Sequence, residues 1–68
     1  MVTLLETRIG NEYILLRSIN TEELAVEAVK CMITDLSPDT DLTNKFRLYM
    51  GPDNGYKYYN VVAGEFQY

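Results

Sequence analysis

The sequence lacks histidine, the side chain on which many enzymes depend. The 68-residue chain contains no histidine and no tryptophan, and its one cysteine is Cys31. Histidine is the commonest proton-transfer group near neutral pH, so its absence argues against general acid–base catalysis. Cys31 falls on a flank of the apolar arc of a predicted helix, where we expect a small packed side chain. We therefore expect no enzymatic activity and no cofactor.

Long hydrophobic runs are missing as well. No segment approaches the roughly 20 apolar residues of a membrane span. The N-terminal stretch VTLLETR is too short an apolar run for a signal peptide. One cysteine cannot form an internal disulfide. We expect one domain, residues 1–68, in a reducing cytoplasmic setting without a membrane anchor.

Motifs for metal or phosphate binding are incomplete. Asp35, Asp39 and Asp41 are close in sequence, but the later glycine and final glutamate of a calcium loop are absent. The stretch GPDNG has two glycines but lacks the lysine and following helix of a phosphate-binding loop. We predict no metal site and interpret GPDNG as a hairpin turn.

Residues 20–36 have the pattern of an amphipathic helix. Asn20 fits as the N-cap, and Glu23, three residues later, fits the reciprocal position of a capping box. Pro38 disfavours helical geometry at the residue before it, so the helix should end near Leu36. The apolar positions recur every three or four residues, at Leu24, Ala25, Ala28, Val29, Met32, Ile33 and Leu36.

Strand-like segments flank the helix on both sides. Residues 2–9 and 12–19 form a predicted hairpin around Gly10-Asn11, and residues 45–50 and 56–63 form a second one around GPDNG. The fold class is therefore α+β, with the order ββαββ. We expect a four-stranded, mainly antiparallel sheet with the helix packed on one face.

This order of elements resembles the β-grasp arrangement of small immunoglobulin-binding bacterial domains. In that arrangement the first and last strands pair in parallel at the centre of the sheet. The resemblance implies the same central pair here, although other strand orders are compatible with the pattern. It rests on element order without a shared motif, so it implies no function.

A basic, tyrosine-rich face is predicted on the side of the sheet away from the helix. If Ile9 opposes Glu12 and Met50 opposes Tyr56, parity assigns the faces, with Leu5, Ile9, Ile14 and Leu16 toward the core. A loop of four residues would reverse the faces of the last strand. Tyrosine and arginine among aliphatic residues are typical of an interface, whereas the alternative is a solvated sheet. The candidate partner-binding residues on this face are Tyr13, Arg17, Arg47, Tyr49, Lys57 and Tyr59.

Acidic residues concentrate on the helix and the loop after it. Residues 20–44 hold six of the ten acids but one of the six bases, within a net charge of −4. This flank is either a solvated surface or a docking surface for a basic partner. The candidate residues are Glu23, Glu27, Asp35, Asp39 and Asp41.

These features favour a small acidic protein that binds and modulates or inhibits a protein partner. Such a chain would suit a phage- or mobile-element-encoded inhibitor of a host enzyme or of a nucleic-acid-binding defence complex. One alternative is single-stranded nucleic-acid binding, with bases stacked on the sheet tyrosines, although the negative net charge opposes it. Another alternative is a homodimeric structural or accessory subunit.

Overall fold

The computed structural model describes residues 3–68, and Val2, which the predicted first strand includes, lies outside them. The elements are β1 (Thr3–Ile9), β2 (Glu12–Ile19), α1 (Glu22–Thr34), β3 (Phe46–Tyr49), β4 (Tyr56–Asn60) and β5 (Glu65–Gln67). The α+β class, with one helix on an antiparallel sheet, is confirmed. The sheet has five strands where four were predicted.

The strand order is β2-β1-β3-β4-β5, and every neighbouring pair is antiparallel. At the centre, β1 pairs with β3, and Leu5 lies opposite Leu48. This order departs from the β-grasp arrangement, since it contains no parallel central pair. The additional strand arises because the chain turns after Asn60, where Gly64 has a φ of 72° and donates a backbone hydrogen bond to the Asn60 carbonyl at 2.8 Å.

The helix begins one residue later than its predicted cap. Thr21 has extended geometry and accepts a hydrogen bond from the backbone N–H of Leu24 at 3.2 Å. Thr21 is therefore the N-cap in place of Asn20, and Glu23 does not stand at the capping-box position. Glu22 and Glu23 occupy the first turn, where negative charge suits the helix dipole.

The core lies between α1 and the face of the sheet that the helix covers. Leu5, Leu48, Ala25 and Val29 are completely buried in it. The other buried hydrophobic residues of this cluster are Ile19, Phe46, Tyr59 and Phe66. Most of β2 lies outside this core, because Ile19 is its one buried residue.

The faces predicted for β4 are reversed in the structure. Tyr49 lies opposite Tyr56, so the loop places Tyr56 one residue earlier in the register than predicted. Since a shift of one residue exchanges the faces of a strand, Lys57 and Tyr59 turn toward the helix. Their predicted place on the open face is wrong. Tyr58 joins Tyr56 on that face instead.

A bulge between β1 and β2 moves Arg17 as well. Leu5 pairs with Arg17 while Glu6 pairs with Leu15, so the register shifts there. Leu16 is the extra residue in β2, and Arg17 takes the face of Leu5. The predicted place of Arg17 on the open face is therefore wrong.

Three predicted core residues remain exposed. Ile9, Ile14 and Leu16 lie on the helix side of the sheet, yet they keep 60%, 43% and 37% of their surface accessible. Their predicted burial is wrong, because α1 does not extend over this part of the sheet.

Candidate protein-binding surface

The open face of the sheet carries an arginine held between two tyrosine rings. The guanidinium carbon of Arg47 lies 3.7 Å from the ring centroid of Tyr13 and 3.8 Å from that of Tyr56. Arg47 Nε and Nη2 also donate hydrogen bonds to Glu6 Oε1 at 2.9 and 2.7 Å. A register with Met50 opposite Tyr56 would place Tyr59 opposite Arg47, but the cation–π partners of Arg47 are Tyr13 and Tyr56.

The polar groups of this tyrosine–arginine cluster have their partners within the chain. The Tyr13 hydroxyl donates to the backbone carbonyl of Asn44, and the rings of Tyr49 and Tyr56 lie 5.3 Å apart. Burial lowers the pKa of Arg47, but hydrogen bonds to Glu6 and Tyr58 outweigh it and raise that pKa above its usual value. Tyr13, Arg47 and Tyr49 thus share the open face as predicted. The contacts that they make with other residues of the chain stabilise the fold.

Lys57 and Tyr59 also make contacts within the fold. Lys57 Nζ lies 2.9 Å from Glu22 Oε1, and this contact raises the pKa of Lys57. Tyr59 is only 6% exposed, and its ring packs edge-on against Phe66 with centroids 5.2 Å apart. The sequence-predicted sheet site is therefore divided between the two faces of the sheet.

The acidic candidates do not converge on one point. Glu23 and Glu27 are exposed on α1, Asp35 is its C-cap, and Asp39 and Asp41 lie in the following loop. The Asp41 carboxylate accepts a hydrogen bond from the backbone N–H of Thr43, which lowers the pKa of Asp41. Within residues 3–68 no group of three or more acidic or cysteine side chains could hold a metal ion.

The largest exposed apolar segment is strand β2, which is an edge of the sheet. β2 pairs with β1 on one side, and no described strand covers its other side. Ile14, Leu15 and Leu16 follow one another in it, and Leu15 keeps 58% of its surface accessible. A long apolar edge strand is uncommon, because its free backbone groups can pair with another chain.

A groove runs between this edge strand and the helix, and we call it the α1–β2 groove. Its larger section has a volume of about 510 Å³. A second section of about 300 Å³ continues toward the end of the helix, and Met32 and Asp35 line both sections. The apolar lining includes Leu16, Leu24, Ala28, Met32 and Leu36.

The rim of the α1–β2 groove is charged. Glu27 and Asp35 border it on the helix side, Arg17 borders it on the strand side, and Lys45 lines its second section. Cys31 also lines it and is exposed, so the prediction of a packed cysteine is wrong. The groove therefore combines an apolar floor with an acidic helical wall.

A sequence signal for this surface exists in β2. Tyr13 to Leu16 is a run of four large apolar or aromatic residues, whereas a strand with one buried face alternates. An unbroken run indicates a strand with apolar side chains on both faces. Because the helix covers little of β2, Ile14, Leu15 and Leu16 stay exposed on the two faces of the strand.

Comparison with known proteins finds no family that matches the chain, and no curated protein or solved structure with significant similarity to it. Among residues 3–68, no helix is long and apolar enough to cross a membrane.

Proposed function

We propose that this protein is a cytoplasmic, non-enzymatic binding module that modulates or inhibits a partner protein through the α1–β2 groove. The observation that carries the proposal is the uncovered apolar floor of the groove beside an acidic helical wall. Concave apolar surfaces with a few charged groups at the rim are typical binding sites. The open-face cluster plays a structural part in this proposal.

The chemistry of the groove defines the kind of partner. Leu16, Leu24 and Met32 offer contacts to apolar side chains. Glu27 and Asp35 on the wall, with Glu23 farther out on the helix, attract positive charge. The matching partner is a protein segment whose apolar anchors are flanked by lysine or arginine. An inhibitor of a basic, nucleic-acid-binding host complex, encoded by a phage or mobile element, would fit this description.

A comparison of three proteins in a pull-down tests the groove. Wild type, Leu24→Asp and Val62→Asp are immobilised and exposed to lysate of the native host, and bound proteins are identified by mass spectrometry. Leu24 is half exposed in the groove, whereas Val62 is 99% exposed in the β4–β5 turn and lines neither section of the groove, so both variants should fold. We expect a basic partner that wild type and Val62→Asp retain and Leu24→Asp loses. Equal capture by all three proteins would contradict the groove assignment.

Salt provides a second test of the same proposal. Acidic steering weakens as the Debye length falls from about 14 Å near 0.05 M salt to about 4 Å near 0.5 M. We expect capture to decrease over this range, and the variant Glu27→Lys to decrease it already at low salt. Capture that is indifferent to both changes would contradict an acidic docking surface.

The alternative of nucleic-acid binding through the open face gains no support from the geometry. Arg47 is engaged by Glu6 and by two tyrosine rings, and Lys57 faces the helix. Arg8, which pairs with Tyr13 on this face, lies 4.0 Å from the Asp41 carboxylate, and the chain as a whole is acidic. A gel shift with short RNA and DNA at low salt checks this expectation of no binding.

A further inference from the structure

The free edge of β2 has a short, regular ladder of backbone groups that point away from the sheet. Gly10-Asn11 forms a two-residue turn, and Gly10 has a φ of 64° while Asn11 does not have positive φ, as in a type II′ turn. The closing pair Ile9–Glu12 is then a hydrogen-bonded pair. Because hydrogen-bonded and non-bonded pairs alternate, Tyr13 and Leu15 direct their N–H and C=O groups outward.

The bulge limits this ladder on its other side. Leu16 is the inserted residue, and Arg17 pairs with Leu5 beyond it. The regular outward groups of β2 before the bulge are therefore those of Tyr13 and Leu15. A second strand can bond all four of these N–H and C=O groups only under one condition. Two of its own residues with outward backbone groups must lie opposite Tyr13 and Leu15.

A second copy of β2 meets this requirement. In an antiparallel pair whose two-fold axis passes through Ile14, Tyr13 of each copy opposes Leu15 of the other. The two pairs then exchange four backbone hydrogen bonds. Ile14 opposes itself at a non-bonded position, where Cα atoms lie about 4.5 Å apart and side chains are in close contact. The exposed apolar run is thus complementary to itself.

The charges of β2 fit the same arrangement. Glu12 would oppose Leu16 of the second copy, and Arg17 is adjacent to that Leu16. The bulge places Arg17 on the helix side, which is also the side of Glu12, because Glu12 pairs with Ile9 there. Neither residue forms an ion pair within the described part of the chain. The two-fold axis therefore brings Glu12 and Arg17 of opposite copies together twice.

We propose that the protein forms a homodimer by antiparallel pairing of the β2 edges, with the two-fold axis at Ile14. The two five-stranded sheets join into one, and an isologous contact of this kind closes after two subunits. The opposite edge, β5, has only three residues and exposes Glu65 and Gln67, as is typical of an edge protected against pairing. The inference concerns the strand edge and does not depend on a partner in the groove.

Disulfide trapping tests both the dimer and its register. Ile14→Cys, Leu15→Cys and Val62→Cys are each made in a Cys31→Ser background and oxidised mildly at micromolar concentration. Ile14→Cys should give cross-linked dimer about tenfold faster than Val62→Cys, since pairing raises the effective thiol concentration toward millimolar values. In this register each Leu15 opposes Tyr13 of the other copy, two residues away from the other Leu15. The two Leu15 Cα atoms are therefore about 8–9 Å apart, beyond the reach of a disulfide. Leu15→Cys should therefore cross-link slowly.

Two outcomes of the trapping experiment would overturn the proposal. If Ile14→Cys cross-links no faster than Val62→Cys, the β2 edges do not meet. If Leu15→Cys is the fastest of the three, the two-fold axis is misplaced. Light scattering of the wild type gives an independent reading, because the dimer has twice the 7.8 kDa mass of the chain. A mass of one chain at every concentration tested would also overturn the proposal.

Charge reversal separates this contact from other modes of dimerisation. Glu12→Arg and Arg17→Glu should each weaken the dimer about tenfold in Kd, because each creates like-charge contacts at both ends of the paired strands. An equimolar mixture of the two variants should form a heterodimer with restored affinity, since every contact is again between opposite charges. Equal weakness of the mixture and the separate variants would overturn the register. Circular dichroism of each variant confirms that it is folded.

Discussion

Removal of Arg47 from the open-face cluster should destabilise the protein severely. Two cation–π contacts contribute about 0.5–1 kcal/mol each at partly exposed sites. Hydrogen bonds to a charged partner add about 1.5–3 kcal/mol, and without them the Glu6 carboxylate is left unpaired. The side chains of Arg47 and Glu6 are only 19% and 14% exposed, so solvent compensates little of this loss. We expect Arg47→Ala to reduce the free energy of unfolding by about 2.5–5 kcal/mol, the sum of these contributions.

This loss is large for a domain of 68 residues, whose total stability is about 3–10 kcal/mol. Urea unfolding followed by circular dichroism, at constant protein concentration, measures the change. Arg47→Lys is the matched control, because it keeps the charge but lacks the planar fork that contacts Glu6 and both rings. Its loss should be intermediate.

A double-mutant cycle with Glu6→Gln should give a coupling energy of about 1–2 kcal/mol between Glu6 and Arg47. A loss below about 0.5 kcal/mol for Arg47→Ala, or no coupling in the cycle, would refute the structural role of the cluster. Either result would favour a binding role for the open face.

Further substitutions test individual parts of the fold, each by urea unfolding. Tyr59→Ala should cost about 3–5 kcal/mol, because it empties a buried site against Phe66 and β3. Thr21→Ala should cost about 1 kcal/mol through loss of the N-cap. Lys57→Met should cost about 0.2–1 kcal/mol at neutral pH. Glu22 raises the pKa of Lys57, so the stability difference between wild type and Lys57→Met is fully present below the ordinary lysine pKa of 10.5. This difference should vanish as pH rises through the higher folded-state pKa of Lys57.

The helix and the first hairpin could be predicted because their local signals are strong. The helical periodicity placed Ala25 and Val29 in the core, and Gly10-Asn11 fixed the Ile9–Glu12 pair, as the structure confirms. The cap was displaced by one residue because Asn20 and Thr21 are both good N-caps, and local sequence does not distinguish between them.

The faces of β4 could not be predicted for a physical reason. Residues 56–59 read YKYY, and each of these side chains has an apolar body and a polar end. Such residues are tolerated on either face, so the register depends on the loop. The loop from Met50 to Gly55 is closed by a hydrogen bond from Met50 N–H to the Gly55 carbonyl at 2.8 Å, which sets Tyr49 opposite Tyr56. No pattern in the flanking residues specifies that closure.

The bulge at Leu16 was invisible in the sequence for a related reason. Leu15 and Leu16 are equivalent in chemistry, so insertion of either into the strand leaves the apolar pattern unchanged. The consequence is large, because everything after the bulge changes face and Arg17 moves from the open face to the rim of the α1–β2 groove. The candidate binding surface was therefore missed, although the run from Tyr13 to Leu16 marked its centre.

The uncovered state of β2 follows from the dimensions of the fold. Five strands at about 4.8 Å spacing make a sheet about 19 Å across, whereas one helix with its side chains is about 10–12 Å wide. A helix of this width cannot cover all five strands, and Ile19 is the buried residue of β2. Dimerisation through the β2 edge would satisfy the backbone groups of Tyr13 and Leu15. It would leave the apolar side chains of Ile14 and Leu16 uncovered. In the dimer these side chains would form the floor of one trough between two acidic helices. The two proposals therefore complement each other, since the second copy completes the sheet and the trough remains for a basic partner.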